Sequence, residues 1–109
     1  MLISTDVWVA ALIRRAELGG ASAAVVRRGD ARAGAVLVKT WDSLERRARL
    51  YTESVGPDGE RLWIEPHPGA PESELDAYAE RQARYDPDLW LVEIEDRQGR
   101  NFLTESVQA

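Results

Sequence analysis

The densest set of reactive side chains lies in one stretch, Asp86-Pro87-Asp88-Leu89-Trp90-Leu91-Val92-Glu93-Ile94-Glu95-Asp96-Arg97. Glu93 and Glu95, two apart on a strand, share a face with carboxylates ~7 Å apart, close enough to bracket a hard divalent cation or its waters. With Asp88 upstream they form the best metal candidate of the chain. A metal held there would activate water and offset phosphate charge, the chemistry of a phosphoester or nucleotide hydrolase, with Lys39 or Arg97 holding the phosphate. The plainer reading, an exposed sheet face ending in an acidic turn, is preferred. A nuclease core of Asp followed by Glu-x-Lys needs a lysine near the metal. Lys39 is the one lysine, and the residue two before it is Leu37. No metal or other cofactor is expected.

A second constellation is Arg46, Arg47 and Arg49 with Trp41 and Tyr51. Arginine contacts phosphates and aromatic rings stack on bases, so the set suits single-stranded RNA. Alternation along a strand places Arg47, Arg49 and Tyr51 on one face and Arg46 on the other. Asp42, Glu45 and Glu53 interleave with them, however, so solvated strand charges are the preferred reading and nucleic acid is not an expected partner. Trp41 begins a loop and is expected to be the most exposed tryptophan. Trp8, Trp63 and Trp90 fall on predicted inner faces.

Other chemistries lack their parts. There is no cysteine, hence no thiolate zinc site, thiol nucleophile or disulfide framework. His67 is the single histidine and sits between Pro66 and Pro68 in a loop. No serine stands in a Gly-x-Ser-x-Gly elbow, and neither a dinucleotide nor a P-loop glycine pattern occurs. Arg28-Gly29-Asp30 reads as a hairpin turn. No residue is assigned a catalytic role.

The elements that position these groups are legible from periodicity. A helix over about 6–18 is predicted, capped by Thr5 or Asp6, with Val9, Leu12, Ile13 and Ala16 inward and Gly19-Gly20 as its stop. Residues 23–28 and 34–40 read as an antiparallel hairpin. A third strand over 44–51 sets Leu44, Ala48 and Leu50 opposite Glu45, Arg47, Arg49 and Tyr51. Gly56-Pro57-Asp58-Gly59 turns into a fourth strand, 61–65. Three prolines mark a loop. A second helix then starts at Ser73, with Asp76 in a capping-box position and Leu75, Tyr78, Ala79, Gln82 and Tyr85 inward. Pro87 ends it. A fifth strand carries Trp90, Val92 and Ile94, and a short sixth lies near Asn101-Phe102-Leu103 before a frayed end. The order α-β-β-β-β-α-β-β argues an α+β fold, two helices on a mainly antiparallel sheet, with Trp90, Val92, Ile94, Leu12 and Leu37 in the core.

At 109 residues, 44% hydrophobic and 30% charged, the chain is expected to be one domain, 1–109. Its longest apolar run, Val7 to Ile13, is far short of the ~18 residues a membrane span needs. The start lacks a basic signal-peptide region, so the cytoplasm is the expected compartment. The net charge of −5 is uneven: residues 1–56 carry nine Lys/Arg and six Asp/Glu, and residues 57–109 carry five and thirteen. The preferred reading is intramolecular, a positive half folding against a negative one.

Three blocks carry a family resemblance: Val7-Trp8-Val9-Ala10-Ala11-Leu12-Ile13-Arg14-Arg15, Gly34-Ala35-Val36-Leu37-Val38-Lys39, and Asp86 through Arg97, the most specific. The chain resembles the uncharacterised bacterial family named domain of unknown function 1491 over nearly its whole length. The resemblance implies a small cytosolic bacterial protein and no assigned activity. With no catalytic constellation preferred, the leading expectation is a non-enzymatic interaction module. Opposite charge on the two halves and the edge strands of a small sheet point to a homo-oligomer, with an unknown protein partner as the further candidate. Hydrolase and RNA-binding readings stand as alternatives.

Overall fold

The computed structural model describes residues 3–108. They form α1 (Thr5–Leu18), β1 (Ser22–Arg27), β2 (Val36–Asp42), β3 (Arg47–Val55), β4 (Arg61–Ile64), α2 (Glu72–Tyr85), β5 (Trp90–Asp96) and β6 (Val107–Gln108). The six strands make one sheet in the order β1-β5-β2-β3-β4-β6. Two helices and an α+β class agree with the sequence reading. The sheet, however, is mixed. β1–β5, β2–β3 and β3–β4 are antiparallel, whereas β2–β5 and β4–β6 are parallel.

The expected hairpin of β1 with β2 does not form, because β5 inserts between them. Val36-Leu37-Val38 and Trp90-Leu91-Val92 carry large side chains on both faces, so each buries most when flanked by strands and covered by helices. Ala23 and Ala24 of β1 bury little wherever they lie. The loop from β1 to β2 must therefore pass over the start of β5. Gly29 and Gly34 make that possible: a Cβ on either would collide with the Asp88 carbonyl oxygen and the Trp90 ring. Arg28-Gly29-Asp30 is thus a crossing segment and not a hairpin turn. Arg28 lies 4.9 Å over the Trp90 ring, and Trp90 Nε1 donates to the Asp30 carbonyl at 2.7 Å. The same loop accepts the Thr5 and Asp6 amides through Arg32 and Ala31.

Side-chain alternation splits the core into two layers. On one face Trp8, Val9, Leu12 and Ala16 of α1 meet Val36, Val38, Tyr51, Trp63, Trp90, Val92 and Ile94. On the other, Leu75 and Ala79 of α2 meet Leu37, Ala48, Leu50 and Leu89. Trp90, Val92, Ile94, Leu12 and Leu37 are all buried, as the sequence predicts.

Boundaries differ where tertiary contacts override local pattern. Ser4 and Pro71 are the N-cap positions, in place of Thr5 or Asp6 and of Ser73, and neither makes a side-chain cap. The Thr5 hydroxyl donates instead to the Gly34 carbonyl, and Asp76 turns inward to the sheet. β3 starts at Arg47, because residues 43–46 form its turn with Arg46 at φ 56°. Leu44 is consequently 67% exposed. Tyr85, expected on the inner stripe of α2, is 86% exposed at the helix end beyond the sheet. Residues 101–103 are not a strand. Phe102 takes φ 59° and lays its ring where a Cβ on Gly19 would sit, so the segment packs on the end of α1. The sixth strand lies at Val107–Gln108, paired with Trp63 and Ile64, where the sequence suggests fraying.

Candidate functional site

Polar side chains gather beside accessible space at several places, and three of them involve the residues singled out above. The first is built on Lys39. It is one of the few buried charged residues, its side chain 7% exposed, on the β2 face that α2 covers. Glu72 and Asp76, four apart on α2, share a helix face. They accept hydrogen bonds from Lys39 Nζ at 2.7 and 2.8 Å, and Glu93 of β5 stands 3.9 Å away. Burial by itself depresses the lysine pKa, but bonds to Asp76 and Glu72 and the charge of Glu93 outweigh it, and the net shift is upward. Lys39 is therefore a charged tether of α2 to the sheet. Three carboxylates around one ammonium leave the surroundings acidic. A groove of about 410 Å³ runs from here between α2 and β1, walled by Ala79, Ala83, Leu89, Leu91 and Val26.

The second lies at the opposite face, beside the β2–β3 turn. Thr40, Arg47 and Arg49 line a pocket of about 250 Å³ with Asp42, Glu45 and the Gln98-Gly99 turn. Arg47 is directly opposite Asp42 in the ladder, yet the Asp42 carboxylate accepts the Leu44 and Glu45 amides of the turn. Arg49 reaches Glu65 only at 3.7 Å, through Nε. The Tyr51 phenol and the Glu65 charge hold its pKa above the usual value. The adjoining turn is held by buried Asp96, which accepts from the Gln98 and Arg100 amides and, at 3.0 and 2.9 Å, from the Arg100 guanidinium.

The third is the free edge of β1. Its partner is β5 alone, and Val25 and Val26 are 39% and 57% exposed. Glu93 and Glu95 lie in register with Ala24 and Ser22, on the α2 side of the sheet, where it runs out to the β1 edge.

The structure sorts the residues singled out by sequence. Glu93 and Glu95 share a face as expected, but Glu93 approaches Lys39 and Glu95 flanks β1. Asp88 lies in the turn before β5, five residues upstream of Glu93, with its backbone holding Asp30. Among the described residues, no group of three or more His, Asp or Glu is placed to hold a metal. Arg47, Arg49 and Tyr51 share a face, with Tyr51 buried beneath α1. Trp41 is within β2 rather than in a loop. It is half-buried and on the opposite face, so it does not join the arginines. Arg46 and Arg97 are exposed in turns. His67 stacks edge-on against Tyr78, centroids 5.2 Å apart. The Lys39 clamp was missed. Its signal was an i,i+4 acidic pair at the start of a helix and a lone lysine in an apolar strand.

Residues 3–104 match the family model described as "Protein of unknown function (DUF1491)". The chain belongs to the DUF1491 family. A DUF1491 family protein from Caulobacter crescentus CB15, solved by crystallography, is 67% identical with a TM-score of 0.94, over 97% of this chain and 99% of that one. An NMR structure of a DUF1491 family protein from the same organism is 66% identical, TM-score 0.93, over 100% and 99%. A protein from A. tumefaciens, solved in solution, is 32% identical, TM-score 0.79, over 96% and 95%. No curated protein matches the chain. The three blocks of the DUF1491 resemblance fall on α1, β2 and β5, the helix and two central strands that meet in one core layer.

Proposed function

We propose that this DUF1491 protein is a non-enzymatic interaction module of the bacterial cytoplasm that self-associates through β1. The carrying observation is the unpaired edge of that strand. Ser22–Arg27 contains neither proline nor lysine, two of the guards against edge pairing, and its one charged residue, Arg27, stands at its end. A register irregularity between Val25 and Arg27 turns the strand end and leaves Ser22 to Val25 regular. The occupant is a second copy of the chain, and charge supports it. Arg27 and Arg28 close β1, whereas Glu95 flanks its start. Antiparallel pairing about a two-fold axis brings each basic end beside the acidic end of the other copy. A cytoplasmic setting is consistent with the lack of cysteine, and among the described residues no helix is long and apolar enough to cross a membrane.

In antiparallel pairs, opposite residues share a face. A two-fold axis therefore sets Ala24 against its own copy, or against Val26 or Ser22. The double substitution Ala24→Lys, Val26→Lys places like charges together in the first two registers. Sedimentation velocity at high-micromolar concentration should show a dimer for the native chain and a monomer for the variant, with unchanged circular dichroism. A native chain that stays monomeric at that concentration refutes the reading.

A further inference from the structure

We infer that the pocket between the β2–β3 turn and the Gln98-Gly99 turn is a binding site for a small phosphorylated polyol. The pocket lies on the other face of the sheet from the β1 groove and is independent of self-association. Arg47 and Arg49, two apart on β3, present guanidinium groups to one volume of about 250 Å³. Among the described residues Arg47 makes no salt bridge, and Arg49 has a long contact to Glu65 through Nε beside the Tyr51 phenol, so Arg47 is the freer donor and Arg49 keeps part of its fork. Paired, planar donor forks of this kind match the oxygens of a phosphate and form charge-assisted hydrogen bonds to it.

The rest of the wall selects what the phosphate must carry. Asp42 and Glu45 line the same pocket. Their carboxylates accept and do not donate, so they repel a bare anion and favour a ligand that also bears hydroxyl groups. Thr40 and Gln98 add groups that both donate and accept. The two positive and two negative side chains leave the pocket with no net charge, which suits a ligand whose phosphate and hydroxyls are separated. Size points the same way. Drug-sized ligands occupy pockets of ~300–1,000 Å³. A site of about 250 Å³ holds a small phosphomonoester in preference to a nucleotide. The positions are held by construction: the Asp42 carboxylate fixes the β2–β3 turn, and Asp96 fixes the turn that carries Gln98 and Gly99.

Amide-resolved NMR titration of the full chain tests this with four probes: glycerol phosphate, inorganic phosphate, glycerol and a short single-stranded oligonucleotide. Glycerol phosphate should give saturable shifts at Thr40, Arg47, Arg49, Gln98 and Gly99. Inorganic phosphate should bind the same residues more weakly, and glycerol should give no saturable shift. Arg47→Gln and Arg49→Gln should each weaken glycerol phosphate by about tenfold or more, the scale of one lost hydrogen bond to a charged group. Both residues are exposed, and an unchanged spectrum elsewhere verifies the fold. Glu45→Gln should narrow the preference for glycerol phosphate over inorganic phosphate. The proposal is overturned by no saturable shift with glycerol phosphate, by shifts that survive both arginine substitutions, or by binding of the oligonucleotide alone.

Discussion

Asp96 shows how one buried side chain sets the geometry of a neighbouring loop. It faces the α1 side at the end of β5, and its carboxylate organises the turn from Arg97 to Arg100. Hydrogen bonds from the Arg100 guanidinium, opposed by burial and reinforced by the Arg100 and Gln98 amides, hold its pKa down to about 2 from 3.8. The folded state thus favours the ionised form. Its contribution is complete above about pH 3.8 and is lost as pH falls through about 2. Asp96→Asn should cost ~1.5–3 kcal/mol near neutral pH, the range for hydrogen bonds to a charged group. The gap between variant and native chain should close over that acid window. Urea denaturation at a series of pH values measures it, and a gap independent of pH down to about 2 contradicts the assignment.

At the scale of elements, the crossing of the β1–β2 loop over β5 is the feature on which the strand order depends. Gly34 is buried, and a Cβ there would strike the Asp88 carbonyl and the Trp90 ring. Neither neighbour yields freely: one is backbone, and the other is a core tryptophan anchored to Asp30. Gly34→Ala should therefore destabilise the fold by ~1–3 kcal/mol, the usual cost of overpacking. Calorimetric melting reads it, and an unchanged midpoint would show that the loop is not held against β5. α2 depends on a different device. The Lys39 clamp adds directed contacts to a helix whose buried residues are only Leu75 and Ala79.

At the scale of the whole molecule, charge and sheet edges decide behaviour. The ion pairs of Lys39 with Glu72, Asp76 and Glu93 and of Arg49 with Glu65 join cations of the positive first half to carboxylates of the negative second half, whereas Arg61 with Glu53 pairs them in the reverse sense. The uneven charge is thus spent partly inside the chain, as its sequence suggests. What remains for a second copy is the β1 edge. If it dimerises there, a concentration increase of about 100-fold adds ~2.7 kcal/mol per dimer by mass action. The melting midpoint should rise with concentration for the native chain and not for the Ala24→Lys, Val26→Lys variant. A midpoint independent of concentration for both weighs against the dimer.

Local pattern determined most of the elements. Glycine pairs and prolines end helices for steric reasons that act within a few residues. The alternation of Trp90, Val92 and Ile94 names an inner face with no knowledge of what covers it. The family could be identified from three blocks for a related reason: they encode the central layer of the core. Strand order was not legible, because it depends on which strands gain most by being central. That gain is a comparison among segments as distant as Ser22 and Glu95. The same holds for the sites. Arg47 and Arg49 could be placed on one face by their spacing, but Gln98 and Gly99 joined them only through tertiary folding. The spacing of Glu72 and Asp76 marked one acidic helix face, and nothing local stated that Lys39 would meet it. Periodicity is written into neighbouring residues, whereas register and convergence arise when distant surfaces compete to be buried.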